Sequence, residues 1–418
     1  MSDVTTVSLL DGYFKYMFGG GSINVIPQYT KLLKMIPFES AKALGRKYIF
    51  PVIVSDEQGV TFANDGSAFT LNGGISMSTQ EAEVEGVEIV LQGLISYKAA
   101  ASAKTDKQAF ANILTQKVER MAASHARIAE YQMLYGGSGA RVTAATGVNA
   151  TTTVIDISAA TWSAGFWAGS KNMTLQFYAN NDSTLISSGA DSVFSVSSVD
   201  YTTRKVTLTG TATGITALNG ATFTGGGLYL YRNGAKGKEM SGLDKICTNT
   251  GSLFGIDAAL YDLWKANNIA TSGALTFAKI KEAVTASVQR GFMGDVTVLL
   301  PPKQFDIITT DQSALRRYSD KGKKGENGFT EFDFHGTNGK MNLEVHPMLR
   351  DGDIFIIPNE VPLKRVGSTD ITFQRPNEGG KFFRQLDGRA GYEFQSYSDF
   401  AIVPEKPATL TKLSGFTP

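Results

Sequence analysis

From Thr105 to Tyr135 the chain holds no proline, and Phe110, Ile113, Leu114, Val118, Met121, Ile128 and Tyr131 recur at the spacing of one helix face. Thr105-Asp106-Lys107-Gln108 fits a capping box, with Thr105 as N-cap and Gln108 reaching back. Gly136 and Gly137 supply a left-handed stop. The spacing predicts a helix of about 30 residues, on the order of 45 Å long, where roughly 11–12 residues is usual. It carries no sustained heptads, so it reads as a rigid strut across a domain and not as a coiled coil. Such a strut leaves a long apolar stripe that other parts of the chain must cover.

The segments before it are extended. Residues 1–42 read as an arm with a joint at Gly19-Gly20-Gly21, then a short helix in Ile26–Ile36 that packs on something, a neighbour included. Tyr48–Val54 is a β-type run. Asp56–Ser78 has the Gly, Ser, Asn and Thr content of a loop and little apolar content. A loop of over 20 residues is unexpected in a compact domain unless it works on a partner. Glu81-Ala82-Glu83-Val84-Glu85 alternates strictly, which puts three carboxylates on one face of a strand and small apolar groups on the other. Val87–Ile95 continues as a more buried strand.

After the strut the composition shifts. Between 140 and about 235 Thr, Ser, Ala, Gly and Asn dominate, and short β-prone runs recur at 152–155, 174–178, 193–196, 205–208 and 228–231. Turn signals separate them, as expected of a small all-β domain inserted in a larger α+β chain. Residues 241–360 return to mixed structure. Asp257 is placed to cap a helix carrying Leu260, Leu263 and Trp264, and Thr276 one carrying Phe277, Ile280, Val284 and Val288 up to Gly291. Val296–Leu300 reads as a buried strand, and Pro301-Pro302 opens a further helix. Tyr318–Gly328 is a Lys- and Gly-rich loop. From 361 the chain reads as returning strands at 371–374, 391–397 and 400–403, and then a tail through Pro407.

No catalytic constellation emerges. None of the GK pairs at 237, 339 and 380 has the spacing of a phosphate loop. The three histidines, His125, His335 and His346, share no metal-ligand spacing. His125 falls near the polar flank of the strut. Cys247 is the single cysteine, which excludes an internal disulfide and points to a reducing compartment. The net charge of +1 announces no basic face for gripping nucleic acid. No apolar run is long enough for a membrane helix. The reading therefore holds no cofactor, metal or catalytic residue. The carboxylates of Glu81, Glu83 and Glu85 are most simply a solvated face. A sharper role is pairing with a basic loop of a neighbouring subunit, for which Lys321, Lys323 and Lys324 are one candidate.

The order of these parts resembles that of the Hong Kong 97-type major capsid proteins of tailed bacteriophages. The likeness covers most of the chain outside 140–235. Two stretches carry it in style, Val296-Thr297-Val298-Leu299-Leu300-Pro301-Pro302-Lys303-Gln304-Phe305 and the ending from Gly391-Tyr392-Glu393-Phe394 to Ala401-Ile402-Val403-Pro404.

The resemblance implies an α+β capsid fold. Residues 1–42 would be the N-terminal arm. Residues 43–136 would be the first part of the peripheral domain, with the extended loop at about 55–80 and the spine helix at about 105–135. Then would follow an inserted β-rich domain (137–240), the axial domain (241–360) and returning peripheral strands with a C-terminal tail (361–418). It further implies a virion shell of pentamers and hexamers assembled in the host cytoplasm, and double-stranded DNA contacted non-specifically. Partners would be a separate scaffolding protein, a portal and a decoration protein, with no membrane.

Two other readings stand beside it. A tail or fibre protein would use 140–235 to bind a receptor, but the long helix counts against it. A carbohydrate-active enzyme would line a sugar site with Trp162, Phe166, Trp167, Phe177 and Tyr178, which are more often core residues of a small β-domain.

Overall fold

The structure is a computed structural model that describes residues 29–40, 47–64, 66, 68–97, 110–310, 331–335, 339–360, 363–373, 384–385 and 391–417. It opens with α1 (Lys31–Met35) and β1 (Phe38–Ser40), followed by the antiparallel pair β2 (Tyr48–Ser55) and β3 (Ser78–Val84), and then β4 (Val87–Ser96). The long helix, α2, runs Phe110–Tyr135. The capping box at Thr105 and the arm before residue 29 lie outside the described residues. At the other end the left-handed stop is present: Gly137 has φ +73°.

Alpha helix α1 packs on its own chain, where the sequence left a neighbour open. Its Leu32 and the following Ile36 are buried in one core with Ala129, Met133 and Leu134 of α2. The last turns of α2 are buried on more than one side, polar residues included: His125, Glu130 and Gln132 are covered.

Beyond α2 a closed six-stranded β-barrel forms from β5 (Ala140–Asn149), β6 (Thr152–Ile157), β7 (Thr174–Tyr178), β8 (Phe194–Asp200), β9 (Lys205–Thr209) and β10 (Leu228–Arg232), in the order β10-β5-β6-β9-β8-β7. Closure removes the free edges that a sheet this small would otherwise expose. The alternating inward residues, Val142, Ile155, Leu175, Phe177, Val196, Val206 and Leu208 among them, fill its centre. Between β6 and β7 lies α3 (Ala164–Trp167); between β9 and β10 lies α4 (Ala212–Asn219). The side chain of Thr211 caps α4 by accepting the Gly214 amide (3.1 Å), and Ile215 and Leu218 join the barrel core. Trp162, Phe166, Trp167 and Phe177 are all buried in that core.

The chain continues through α5 (Leu243–Thr248), the hairpin β11 (Ser252–Leu253) and β12 (Ile256–Asp257), β13 (Asn267–Ala270), α6 (Phe277–Gln289), β14 (Val296–Leu300) and α7 (Pro302–Thr310). The helix expected after Asp257 is a single 3-10 turn at Asp262–Trp264. Only Trp264 of its apolar residues turns inward; Leu260 and Leu263 face solvent. Helix α6 starts after Thr276 as read, but the Thr276 hydroxyl makes no capping hydrogen bond.

A six-stranded mixed sheet combines β13 and β14 with β15 (Glu331–His335), β16 (Lys340–Val345), β17 (Asp353–Pro358) and the late strand β21 (Thr411–Ser414), in the order β13-β21-β17-β14-β16-β15. Strand β14 is buried throughout because both faces are covered. Leu299 enters the core shared with α2, while Val296, Val298 and Leu300 enter the core under α6. Strand β21 corrects the expected tail. After Pro404 the chain turns back and pairs between β13 and β17.

The remaining strands are β18 (Leu363–Thr372), β19 (Arg384–Gln385) and β20 (Gly391–Pro404). The two runs read at 391–397 and 400–403 are one 14-residue strand. β20 pairs with β18 and β19 along one edge and with β4 along the other, and β1 adds in parallel to β18. Strand β4 is less buried than expected, with Val90 at 50% and Leu94 at 48% exposure on the face away from α2.

Candidate assembly surface

The β2–β3 pair is a ribbon with two unlike faces. Tyr48, Phe50 and Val52 alternate inward from β2, opposite Val84, Ala82 and Gln80 of β3. Ala82 packs with Ile256, Ala258 and Trp264, with Phe50 and Val52 against them. The ribbon is clipped at its base to the β11–β12 hairpin. Its turn is Phe254-Gly255, both at positive φ (+54° and +84°) as a tight hairpin requires, and the Phe254 carbonyl accepts the Glu83 amide at 2.8 Å. Trp264 Nε1 donates to the Leu253 carbonyl (3.0 Å) under the same contact.

The other face carries Ile49, Pro51 and Ile53 opposite Glu83, Glu81 and Thr79. The alternation read from sequence therefore holds: Ala82 and Val84 are buried, Glu81 is exposed and Glu83 is half-buried. Glu83 pairs with Lys47 of the same chain. Glu85 lies past the strand end and is exposed. Lys321, Lys323 and Lys324 lie outside the described residues, so the structure does not bring the two groups together.

Beyond the strands, residues 56–64 and 68–77 extend the ribbon as two apposed arms. The Gln58 amide donates to the Ile75 carbonyl (3.0 Å), and Asn72 bonds Thr61 and the Val60 carbonyl. The arms touch at bare backbone: a Cβ on Gly59 would lie 2.9 Å from the Gly74 Cα. The sequence reading of little apolar content here is corrected. Val60, Phe62, Phe69, Leu71, Ile75 and Met77 are all more than half exposed, Phe62 at 92%. Six large apolar side chains on one exposed ribbon exceed the scattered single cases that need no explanation. The signal that could have found them is their recurrence through a Gly/Ser/Asn background.

The rest of the conspicuous chemistry is internal. His125 is fully buried and not on a polar flank. Its ring nitrogens bond the hydroxyls of Ser396 and Ser398 on β20, each at 2.8 Å, and burial lowers its pKa to about 4. Lys412 on β21 is buried between Asp244, with which it pairs closely, and Asp353 (2.9 Å). Burial works against its charge, but Asp353 and Asp244 more than offset this and hold its pKa above the ordinary lysine value. The Arg350 guanidinium stacks 4.1 Å from the Tyr135 ring centroid beside them. The buried Cys247 thiol is pushed up to about 12, mainly by burial, which makes it a poor nucleophile at neutral pH. Among the described residues no group of three or more His, Cys, Asp or Glu is placed to hold a metal ion, and no helix is long and apolar enough to cross a membrane.

No family model matches the chain, and no curated protein is detectably similar to it. Solved structures are similar over its whole length. A capsid chain of cyanophage A-1(L) is 10% identical, with 100% of both chains covered and a TM-score of 0.57. The chain shares its fold with that phage capsid chain. The capsid of a native GTA particle follows at 10% identity, full coverage of both chains and a TM-score of 0.52. The capsid of cyanophage P-SCSP1u follows at 9% identity, with 100% of this chain and 97% of that chain covered and a TM-score of 0.51. At such identity the likeness lies in the fold, which is the Hong Kong 97-like mixture of helix and sheet.

Proposed function

We propose that this chain is the major capsid protein of a tailed phage and builds the shell around double-stranded DNA by repeating one set of contacts. The observation that carries the reading is the two-faced ribbon at 48–84, in a chain with a capsid fold. One face is fixed to the chain's own core, and the other, with its apolar tip, is left to solvent. A closed shell repeats such contacts under symmetry, so an exposed apolar arm on one copy is covered by the next.

In this reading residues 55–80 are the extended loop, α2 is the spine helix, and the six-stranded sheet is the axial domain. The sheet of β1, β4, β18, β19 and β20 is the peripheral domain. The barrel at 140–232 is an insertion. Its two ends meet, since the Gly242 amide donates to the Gly136 carbonyl at 3.0 Å, which is what an added module leaves behind. The partners are further copies of the chain, as pentamers and hexamers. With a net charge of +1, DNA would be contacted weakly and without sequence preference. The acidic stripe at Glu81, Glu83 and Glu85 would then meet a basic segment of a neighbouring copy, with Lys321, Lys323 and Lys324 the segment we favour. Assembly would take place in the host cytoplasm.

The test is electron microscopy and sedimentation of the full-length protein beside the Phe62→Asp and Leu71→Asp variants. Shells, or rings of five or six subunits, from the parent protein and their loss in both variants are expected. A parent protein that stays a monomer or trimer at all concentrations, both alone and when co-expressed with a scaffolding protein, refutes the reading.

A further inference from the structure

The turn from His346 to Gly352, between β16 and β17, holds together parts of the chain that are far apart in sequence. His346 Nε2 bonds the Glu130 carboxylate of α2 at 2.9 Å, and both side chains are buried. The same carboxylate accepts the amides of Leu32 (2.6 Å) and Leu33 (2.9 Å), so it caps α1 from another helix. The Arg350 amide donates to the Tyr135 hydroxyl (2.9 Å) and its guanidinium to the Ser138 carbonyl (2.6 Å).

On its other side the turn grips the segment 160–165 of the barrel. Asp351 N donates to the Trp162 carbonyl (2.8 Å) and Gly352 N to the Ala160 carbonyl (3.2 Å). Ser163 Oγ donates to the Met348 carbonyl (2.8 Å), and Gly165 N to the Pro347 carbonyl (3.0 Å).

One peptide unit joins the two sides. The Pro347 carbonyl takes the Gly165 amide, and the amide of that same unit, Met348 N–H, donates to His346 Nδ1 at 3.3 Å. Because Nδ1 accepts, the ring proton sits on Nε2, where it is donated to Glu130. The barrel thus sets the orientation of the peptide that fixes the His346 ring. The ring in turn completes the set of donors on the carboxylate that seats α1. In a buried polar network a missing partner leaves a costly unpaired group.

We infer that the 346–352 turn is a relay that couples docking of the barrel to seating of α1, so that the two form and release together. The approach of the barrel segment is close enough to be perturbed by one methyl group: a Cβ on Gly165 would lie 2.6 Å from the Pro347 oxygen. Gly165→Ala therefore displaces the peptide unit without touching His346, Glu130 or α1.

The test is amide hydrogen exchange on the full chain. Gly165→Ala is expected to speed exchange at Asp351 and Gly352 and also, by at least about tenfold, at Leu32 and Leu33. Val206 and Leu208, deep in the barrel, are expected to change by less than about twofold. Ser163→Ala, which removes a single hydroxyl, gives the same pattern more weakly and serves if Gly165→Ala does not fold. In a Glu130→Gln background either change is expected to add nothing further at Leu32 and Leu33, the mark of a shared path. Unchanged exchange at Leu32 and Leu33 while Asp351 and Gly352 loosen overturns the coupling. So does a uniform rise that includes Val206, which would mean general destabilisation.

Discussion

His125 offers the sharpest check on the packing of the long helix. Its ring is fully buried against β20, and Ser396 and Ser398 bond its two nitrogens. Serine hydroxyls can donate or accept, so hydrogen bonding alone would tolerate either protonation state. What opposes the charge is burial, which outweighs the opposing pull of Asp370 and takes the pKa from 6.5 to about 4. At ~1.4 kcal/mol per tenfold change in proton affinity, the gap corresponds to roughly 3 kcal/mol. The sign follows from linkage. The folded chain prefers the neutral ring, so this stability is fully present above pH 6.5. It is lost progressively as pH falls from about 6.5 to about 4.

The chain has three histidines, so a protein labelled at imidazole Cε1 gives few resonances, and His125→Gln identifies the one of interest. That resonance is expected to hold its neutral position at pH 5, and the unassembled subunit to lose stability below pH 6 less steeply in His125→Gln than in the parent. A His125 resonance half-titrated at pH 6 or above would refute the reasoning, because it would mean that water reaches the ring between α2 and β20.

Three further outcomes are expected. Lys412→Met leaves Asp244 and Asp353 buried without their shared ammonium and should cost about 3–5 kcal/mol in denaturant unfolding of the subunit; a loss under about 1 kcal/mol would contradict the buried cluster. Gly59→Val drives a side chain into the Gly74 backbone, so particle yield in sedimentation should collapse while the subunit's melting temperature stays within a few degrees; equal loss of both would tie the ribbon tip to the core. Burial raises the Asp351 carboxyl to about 6, which penalises its charged form above that pH and not below about pH 4. Asp351→Asn should therefore stabilise the subunit at pH 7 by about 1 kcal/mol, after allowance for solvent screening, and a neutral or destabilising result in chemical denaturation would reject it.

Much of the architecture was legible because it rests on local patterns. The apolar spacing of α2, the uniform run Val296–Leu300 and the alternation at 81–85 each carry their period in the residues themselves. Five of the barrel strands were visible as β-prone runs between turn signals. The sixth, Ala140–Asn149, was not, because Ala-Arg-Val-Thr-Ala-Ala-Thr-Gly shows no clear alternation and becomes a strand only through partners on both sides. Strand β21 was missed for a similar reason. Thr411-Lys412-Leu413-Ser414 places a lysine where a core strand is expected to be apolar, and only Asp244 and Asp353, distant in sequence, make it tolerable. His125 read as part of a polar flank because its partners, Ser396 and Ser398, come from β20, far away in sequence.

The apolar ribbon also bounds how strongly two copies can hold each other through it. Completing the burial of its six large side chains would yield on the order of 6–12 kcal/mol, at roughly 1.5–3 kcal/mol per fully buried side chain and with each already partly covered. Association costs an estimated ~4–15 kcal/mol in lost freedom. One ribbon contact is therefore near balance on its own, and two isolated copies should separate readily. In a ring or shell each added copy makes several contacts but loses its freedom once, so the balance tips only as the structure closes. A shell built this way can release a misplaced copy before closure. The 346–352 turn and the Lys412 cluster are buried in the subunit, whereas the ribbon joins that core only through its inner face, at Tyr48, Phe50 and Val84. Mutations on the outer face of the ribbon should therefore alter assembly with little effect on the fold, whereas mutations in that core should unfold the subunit before they change the particle.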